Sequence, residues 1–107
     1  MLKNNKVNSL PNENIEKAIQ CLSNLHLEEA MKFIHLSFLE DSDFSQIHNL
    51  LGAYYELTGE LNLARKHYRA AIDLEPSSTP PSNNLQRVCE HKNICSLEYI
   101  DFGKVVI

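Results

Sequence analysis

The sequence predicts an all-α superhelix of two helical hairpins plus a C-terminal capping helix, followed by a short extended tail. Three observations lead there. Small and aromatic residues recur at helical intervals between residues 48 and 76. Three Gly and four Pro in 107 residues fall short of the turn density of an all-β protein. An apolar content of 43% is enough for one modest core. The expected organisation is a flexible N-terminal segment over 1–11, a helical domain over 12–92 and an extended tail over 93–107.

The first helix is expected to start at Asn12, whose side chain suits an N-cap, with Glu13 and Glu16 near the positive helix end. Its core face is Ile15, Ala18, Ile19 and Leu22, spaced to return to one side of the helix. Leu27-Glu28-Glu29-Ala30 opens the second helix, where Ile34 continues the apolar face. Asp43-x-x-Gln46 reads as a capping box for the third helix. On that helix Leu51, Gly52 and Tyr55 share a face, and on the fourth Ala64, Tyr68 and Ala71 do the same. Thr58-Gly59-Glu60 makes the turn between them. A Gly inside a helix costs about 1 kcal/mol relative to Ala, so Gly52 implies a close backbone approach. Pro76 closes the hairpin, and Thr79 and Pro80 start a fifth helix that runs to about Lys92. Leu85, Val88 and Cys89 lie on one side of it, with Asn84, Arg87 and Glu90 elsewhere.

Taken together, His48, Leu51-Gly52, Tyr55, Gly59, Ala64, Tyr68, Ala71 and Pro76 resemble the tetratricopeptide (TPR) repeat, with W-x2-L-G-x2-Y in its first helix and A-x3-F-x2-A in its second. His48 stands where the family has its leading aromatic. The clear repeat covers about 45–78, a degenerate one about 12–44 and a capping helix about 79–92. Ala30 and Ile34 match Ala64 and Tyr68 one repeat earlier. A strict repeat of about 34 residues places Asn14 and Lys17 on the core side of the first helix. The reading therefore shortens the first turn by one residue, which leaves no equivalent of Gly59, puts Ile19 at the Gly52 position and predicts a more splayed hairpin.

The resemblance implies a protein-interaction module, an adaptor or scaffold holding a peptide or protein partner in a concave groove lined by the first helices. The groove positions it assigns are Glu13, Glu16, Gln20 and Asn24 from the first repeat. Gln46, Asn49, Ala53, Glu56 and Leu57 come from the second, and Asn83, Arg87 and Glu90 from the cap. That surface is polar, amide-rich and mildly acidic. The alternative function is a small peptide- or ligand-sensing regulator.

Other chemistries lack their motifs. There is no Gly-rich phosphate loop, no G-x-S-x-G elbow and no H-E-x-x-H pair, so no catalytic residue, enzyme activity or cofactor is expected. Cys89-x-His91-x3-Cys95 lacks a fourth ligand, and no metal site is expected. A net charge of −4 with no basic block gives no nucleic-acid footprint and no attraction to acidic membranes. The polar, Asn-rich N-terminus lacks the apolar middle of a secretory signal. Cys21, Cys89 and Cys95 are odd in number, which favours a reducing, cytoplasmic setting. Cys21 reads as a small buried residue.

The tail from Ser96 carries β-branched and aromatic residues and ends in Val105-Val106-Ile107. It is expected either to lie on the last hairpin and cover apolar surface or to stand as an exposed strand that pairs between chains. Two hairpins and a cap are fewer than the three units such arrays usually need. Self-association or permanent docking is therefore predicted, with the tail as the homo-oligomer contact.

Overall fold

A computed structural model describes residues 13–40, 43–90 and 97–103. Within them the chain forms α1 (Glu13–Ser23), α2 (Leu27–Leu39), α3 (Phe44–Thr58), α4 (Leu61–Leu74), α5 (Thr79–Glu90) and one turn of 3-10 helix at Leu97–Tyr99. No strand occurs among the described residues. Each helix packs on the next, and α3 also touches α1 and α5, an order compatible with a helical repeat. No described helix is long and apolar enough to cross a membrane. The segment 1–11, the Asn12 cap and the chain end Val105-Val106-Ile107 lie outside the described residues.

The cap of α3 is half of the expected box. The Asp43 carboxylate accepts from the Gln46 backbone N–H at 3.2 Å. The Gln46 side chain does not reach back to complete the box; it donates to the Phe102 carbonyl at 2.8 Å, in the tail. At the other end Gly59, at φ 86°, takes the left-handed position that glycine occupies without steric cost. Its N–H donates to Glu56 O at 3.1 Å and that of Glu60 to Tyr55 O at 2.8 Å.

The turn between α1 and α2 corrects the shorter-turn expectation. Leu25 sits at φ 61°, its N–H donates to Leu22 O at 3.0 Å, and that of His26 donates to Cys21 O at 2.8 Å. This is the hydrogen-bond pattern of the Gly59 turn with a leucine in the glycine's place. A side chain there costs roughly 1–2 kcal/mol. The first turn is therefore as long as the second, and the strict spacing holds. Ile15, Ala18, Ile19 and Leu22 are buried as expected, but they match Asn49, Gly52, Ala53 and Glu56, all buried on α3. Ala18, not Ile19, occupies the Gly52 position, which removes the reason for a splayed hairpin. Asn14 and Lys17 misled because α1 is packed by α2 and α3 with no described helix before it, so its other face stays wet.

The buried side chains form a main cluster spanning α1, α2 and α3 and a smaller one of Ala64, Tyr68 and Val88. Tyr55, half-buried, packs against both, and Tyr54 packs against the main cluster. Cys21 is half-buried beside it, its thiol pushed up by burial and by Glu29. Gly52 and Tyr68 join α3 to α4. A Cβ on Gly52 would fall within the contact distance of the Tyr68 ring, whose Cζ would lie only 2.9 Å away. The glycine is required because Tyr68, with no solvent exposure, fills the space a side chain would need.

His48 is part of a column of rings. Its ring stacks on His67 at 5.2 Å, His67 stacks on Tyr55 at 5.4 Å, and Phe38 meets His48 edge-on at 6.0 Å. The two Nδ1 atoms are 3.0 Å apart, so one imidazole donates to the other and a proton on both would place two like charges in contact. Burial holds both groups below the ordinary imidazole value of 6.5, and His48 and Lys66 lower His67 further.

Gly52→Ala should destabilise the fold by about 1–3 kcal/mol in urea denaturation, because overpacking against Tyr68 outweighs the better helix propensity of alanine. For the histidine pair the folded chain binds fewer protons than the unfolded chain just below pH 6.5. Stability is complete above that pH and falls as pH drops through it toward the lower folded values, by at most about 1.4 kcal/mol per pH unit for each imidazole. Denaturation midpoints between pH 7.5 and 5 should show this decline, and a His48→Gln/His67→Gln variant should flatten it.

Candidate functional site

The tail meets the helices on the face shared by α3 and α5. Asn49 of α3 and Asn84 of α5 are both fully buried. The Asn84 amide donates to Asn49 Oδ1 at 3.0 Å and to the Asp101 carbonyl at 2.8 Å. Its own Oδ1 accepts from the Asp101 N–H and from Arg87, each at 2.9 Å. Every hydrogen-bonding capacity of that side chain is thereby used. Asn49 donates to the same Asp101 carbonyl at 3.0 Å. With Gln46 on the Phe102 carbonyl, three side-chain amides address consecutive main-chain groups of one segment. Side-chain amides carry both a donor and an acceptor, which is the pairing a peptide group asks for.

Behind the amides lies a charged pair. Glu56, with a side chain 1% exposed, receives both terminal nitrogens of Arg87, one of them at 3.0 Å on Oε1. The Tyr68 hydroxyl donates to the same Oε1 at 2.8 Å. Burial, then the Glu56 charge, pushes that hydroxyl far above its usual value, so it remains a donor at any ordinary pH. Burial pulls the Arg87 guanidinium down, but the hydrogen bonds and charge of Glu56 outweigh it and raise the group overall. An unbroken chain of hydrogen bonds thus runs from Tyr68 in the core through Glu56 and Arg87 to Asn84 and the tail.

The expected groove positions divide. Gln46, Asn49 and Asn83 reach the tail, Asn83 donating to the Asp101 carboxylate at 3.4 Å. Glu56 and Arg87 support the amides from behind. Ala53 is buried in the main cluster, and Leu57 is half-buried against it. Glu90 is exposed and accepts from Gln86 at 3.2 Å. Glu13, Glu16, Gln20 and Asn24 are exposed on α1 and take no part in the amide cluster among the described residues. The face is accordingly less acidic than its sequence suggested, because Glu56 is neutralised and enclosed.

Asn84, the hub of the cluster, was expected off the core side of the fifth helix. Helix α5 runs one residue late: Asn84 and Val88 are buried where Asn49 and Ala53 are buried on α3, whereas strict spacing puts Asn83 opposite Asn49. The Asn-x3-apolar pattern shared by residues 49–53 and 84–88 is the signal that marks it. Cys89, expected on the apolar side with Val88, is exposed. Among the described residues no three His, Cys, Asp or Glu side chains group to hold a metal; His91 and Cys95 lie outside them. The chain matches no family model, no curated protein and no solved structure in the comparisons made.

Glu56→Leu should lower stability by about 3–5 kcal/mol, since it leaves the Arg87 charge and the Tyr68 hydroxyl without their partner. Adding Arg87→Met should recover much of the loss, because a buried ion pair replaced whole by apolar residues is often close to neutral. A double-mutant cycle by chemical denaturation measures both.

Proposed function

We propose that this chain is a TPR-like interaction module that binds a peptide or protein partner through the face shared by α3 and α5. The observation that carries the reading is the set of amides from Gln46, Asn49 and Asn84, which hold a polypeptide segment by its main-chain N–H and C=O groups. Any chain presenting a carbonyl, an N–H and a second carbonyl in that arrangement meets the same donors and acceptor. Recognition of this kind draws affinity from main-chain hydrogen bonds and specificity from the pockets beside them.

The helix order and residue spacing support the family part of the proposal. Gly52 against Tyr68 is the small-on-aromatic contact that the TPR pattern requires between its two helices, and α3 touching both α1 and α5 is how first helices line one surface. The role is binding without catalysis: an adaptor or scaffold. In the cytoplasm, the setting the cysteines favour, the partner is another polypeptide.

The test is affinity for a partner captured at one-to-one stoichiometry and then purified. Asn84→Ala should weaken that complex about tenfold or more, in line with the loss of hydrogen bonds worth about 1 kcal/mol each. Substituting Arg69, exposed on α4, should leave it unchanged. Calorimetric titration reads both, with circular dichroism confirming that helix content is retained. Affinity insensitive to Asn84 would place the binding surface elsewhere.

A further inference from the structure

The occupant of the amide cluster is the chain's own segment 97–103. We infer that this segment is a built-in competitor: it fills the site in place of an external peptide that presents the same apolar–Asp–x–Gly turn, and the partner must displace it to bind. The inference rests on the reading of the α3–α5 face as a polypeptide-binding site.

The chemistry of the docked segment defines the peptide. Ile100, 6% exposed, is buried in the main cluster, and Phe102 packs beside it. Asp101 contributes its carbonyl and N–H to the amides, while its carboxylate Oδ1 accepts from the Gly103 N–H at 3.0 Å and closes a local turn. Gly103 has φ 75°, a left-handed position, and a Cβ there would lie 2.7 Å from the Gln46 side-chain oxygen. Three identities are therefore selected: an apolar residue at 100, a turn-closing Asp at 101 and glycine at 103. Position 102 contributes its carbonyl and a half-buried ring against the main cluster.

Two features make the docking exchangeable. The segment enters through an exposed 3-10 turn, with Tyr99 62% exposed, and its one fully enclosed side chain is Ile100. Its polar partners are side-chain amides, which hydrate readily once the segment leaves. Tethering raises the local concentration of such a segment to about the millimolar range, so it blocks weak peptides and yields to tight ones.

The probe is a fluorescent, end-capped peptide of residues 97–103, titrated into the full chain and into full-length Ile100→Asp. The variant should bind it at least tenfold more tightly than the unaltered chain, and adding Asn84→Ala should abolish that binding. Peptides with alanine at the positions of Asp101 or Gly103 should bind at least tenfold more weakly. In the unaltered chain, millimolar peptide should speed hydrogen exchange at the Asp101 amide, a readout that needs no variant to fold.

Equal affinity of the helical variant and the unaltered chain, or an Asp101 amide indifferent to the peptide, would overturn the inference and make the segment a permanent part of the core. A dimer whose Asp101 protection depends on concentration would overturn it differently, by placing the segment in a second copy. Failure of the peptide with retained Asn84-dependence of the purified partner would sink the competitor while leaving the groove; loss of both would sink the groove as well.

Discussion

The hydroxyl of Tyr68 on the carboxylate of Glu56 is the contact from which the rest of the molecule follows. For the ring to reach that carboxylate it must lie across α3 where Gly52 has no side chain, which fixes how closely α3 and α4 approach. Once enclosed, Glu56 needs a second partner for its charge, and Arg87 of α5 supplies it. A carboxylate with one hydroxyl donor in a dry interior would be strongly unfavourable. The position of α5 is thus tied to a phenol on α4 through an acid on α3.

Arg87 also donates to Asn84, so the electrostatics of the core reach the surface that holds the tail. With its Oδ1 pointed at Arg87 and the Asp101 N–H, Asn84 has a single amide orientation that satisfies its neighbours: the NH2 group faces Asn49 and the Asp101 carbonyl. The amide cluster is preorganised by the ion pair behind it. Preorganised donors lose little freedom when they engage a chain, which is how a few hydrogen bonds become useful for binding.

Residues 97–103 also cover apolar surface of the helices. Ile100 and Phe102 pack onto the main cluster from outside the helices. Of the two placements expected for the tail, residues 97–103 take the covering one; no strand forms among the described residues. They do so with a 3-10 turn and an Asp-closed turn, not the extended conformation that their β-branched and aromatic content suggested. Main-chain partners on Asn49 and Asn84 replace the strand partners that such residues otherwise seek.

Local chemistry was enough to determine the helices and the turn at Gly59. Apolar spacing placed Ile15, Ala18, Ile19 and Leu22 inside, Gly52 announced a close approach and Asp43 announced a cap, because each depends on neighbours within a few residues. Fit to a distant element decided the remainder. Leu25 adopts a glycine conformation where α1 turns into α2, α5 sits one residue late with Arg87 against Glu56, and the Gln46 side chain reaches Phe102 while its backbone stays in the cap. A lone sequence gives Glu56 and Asn84 the look of solvated polar residues. Only the folded chain supplies the buried partners, remote in sequence, that make their burial favourable and join Asn84 to Asn49, Arg87 and Asp101.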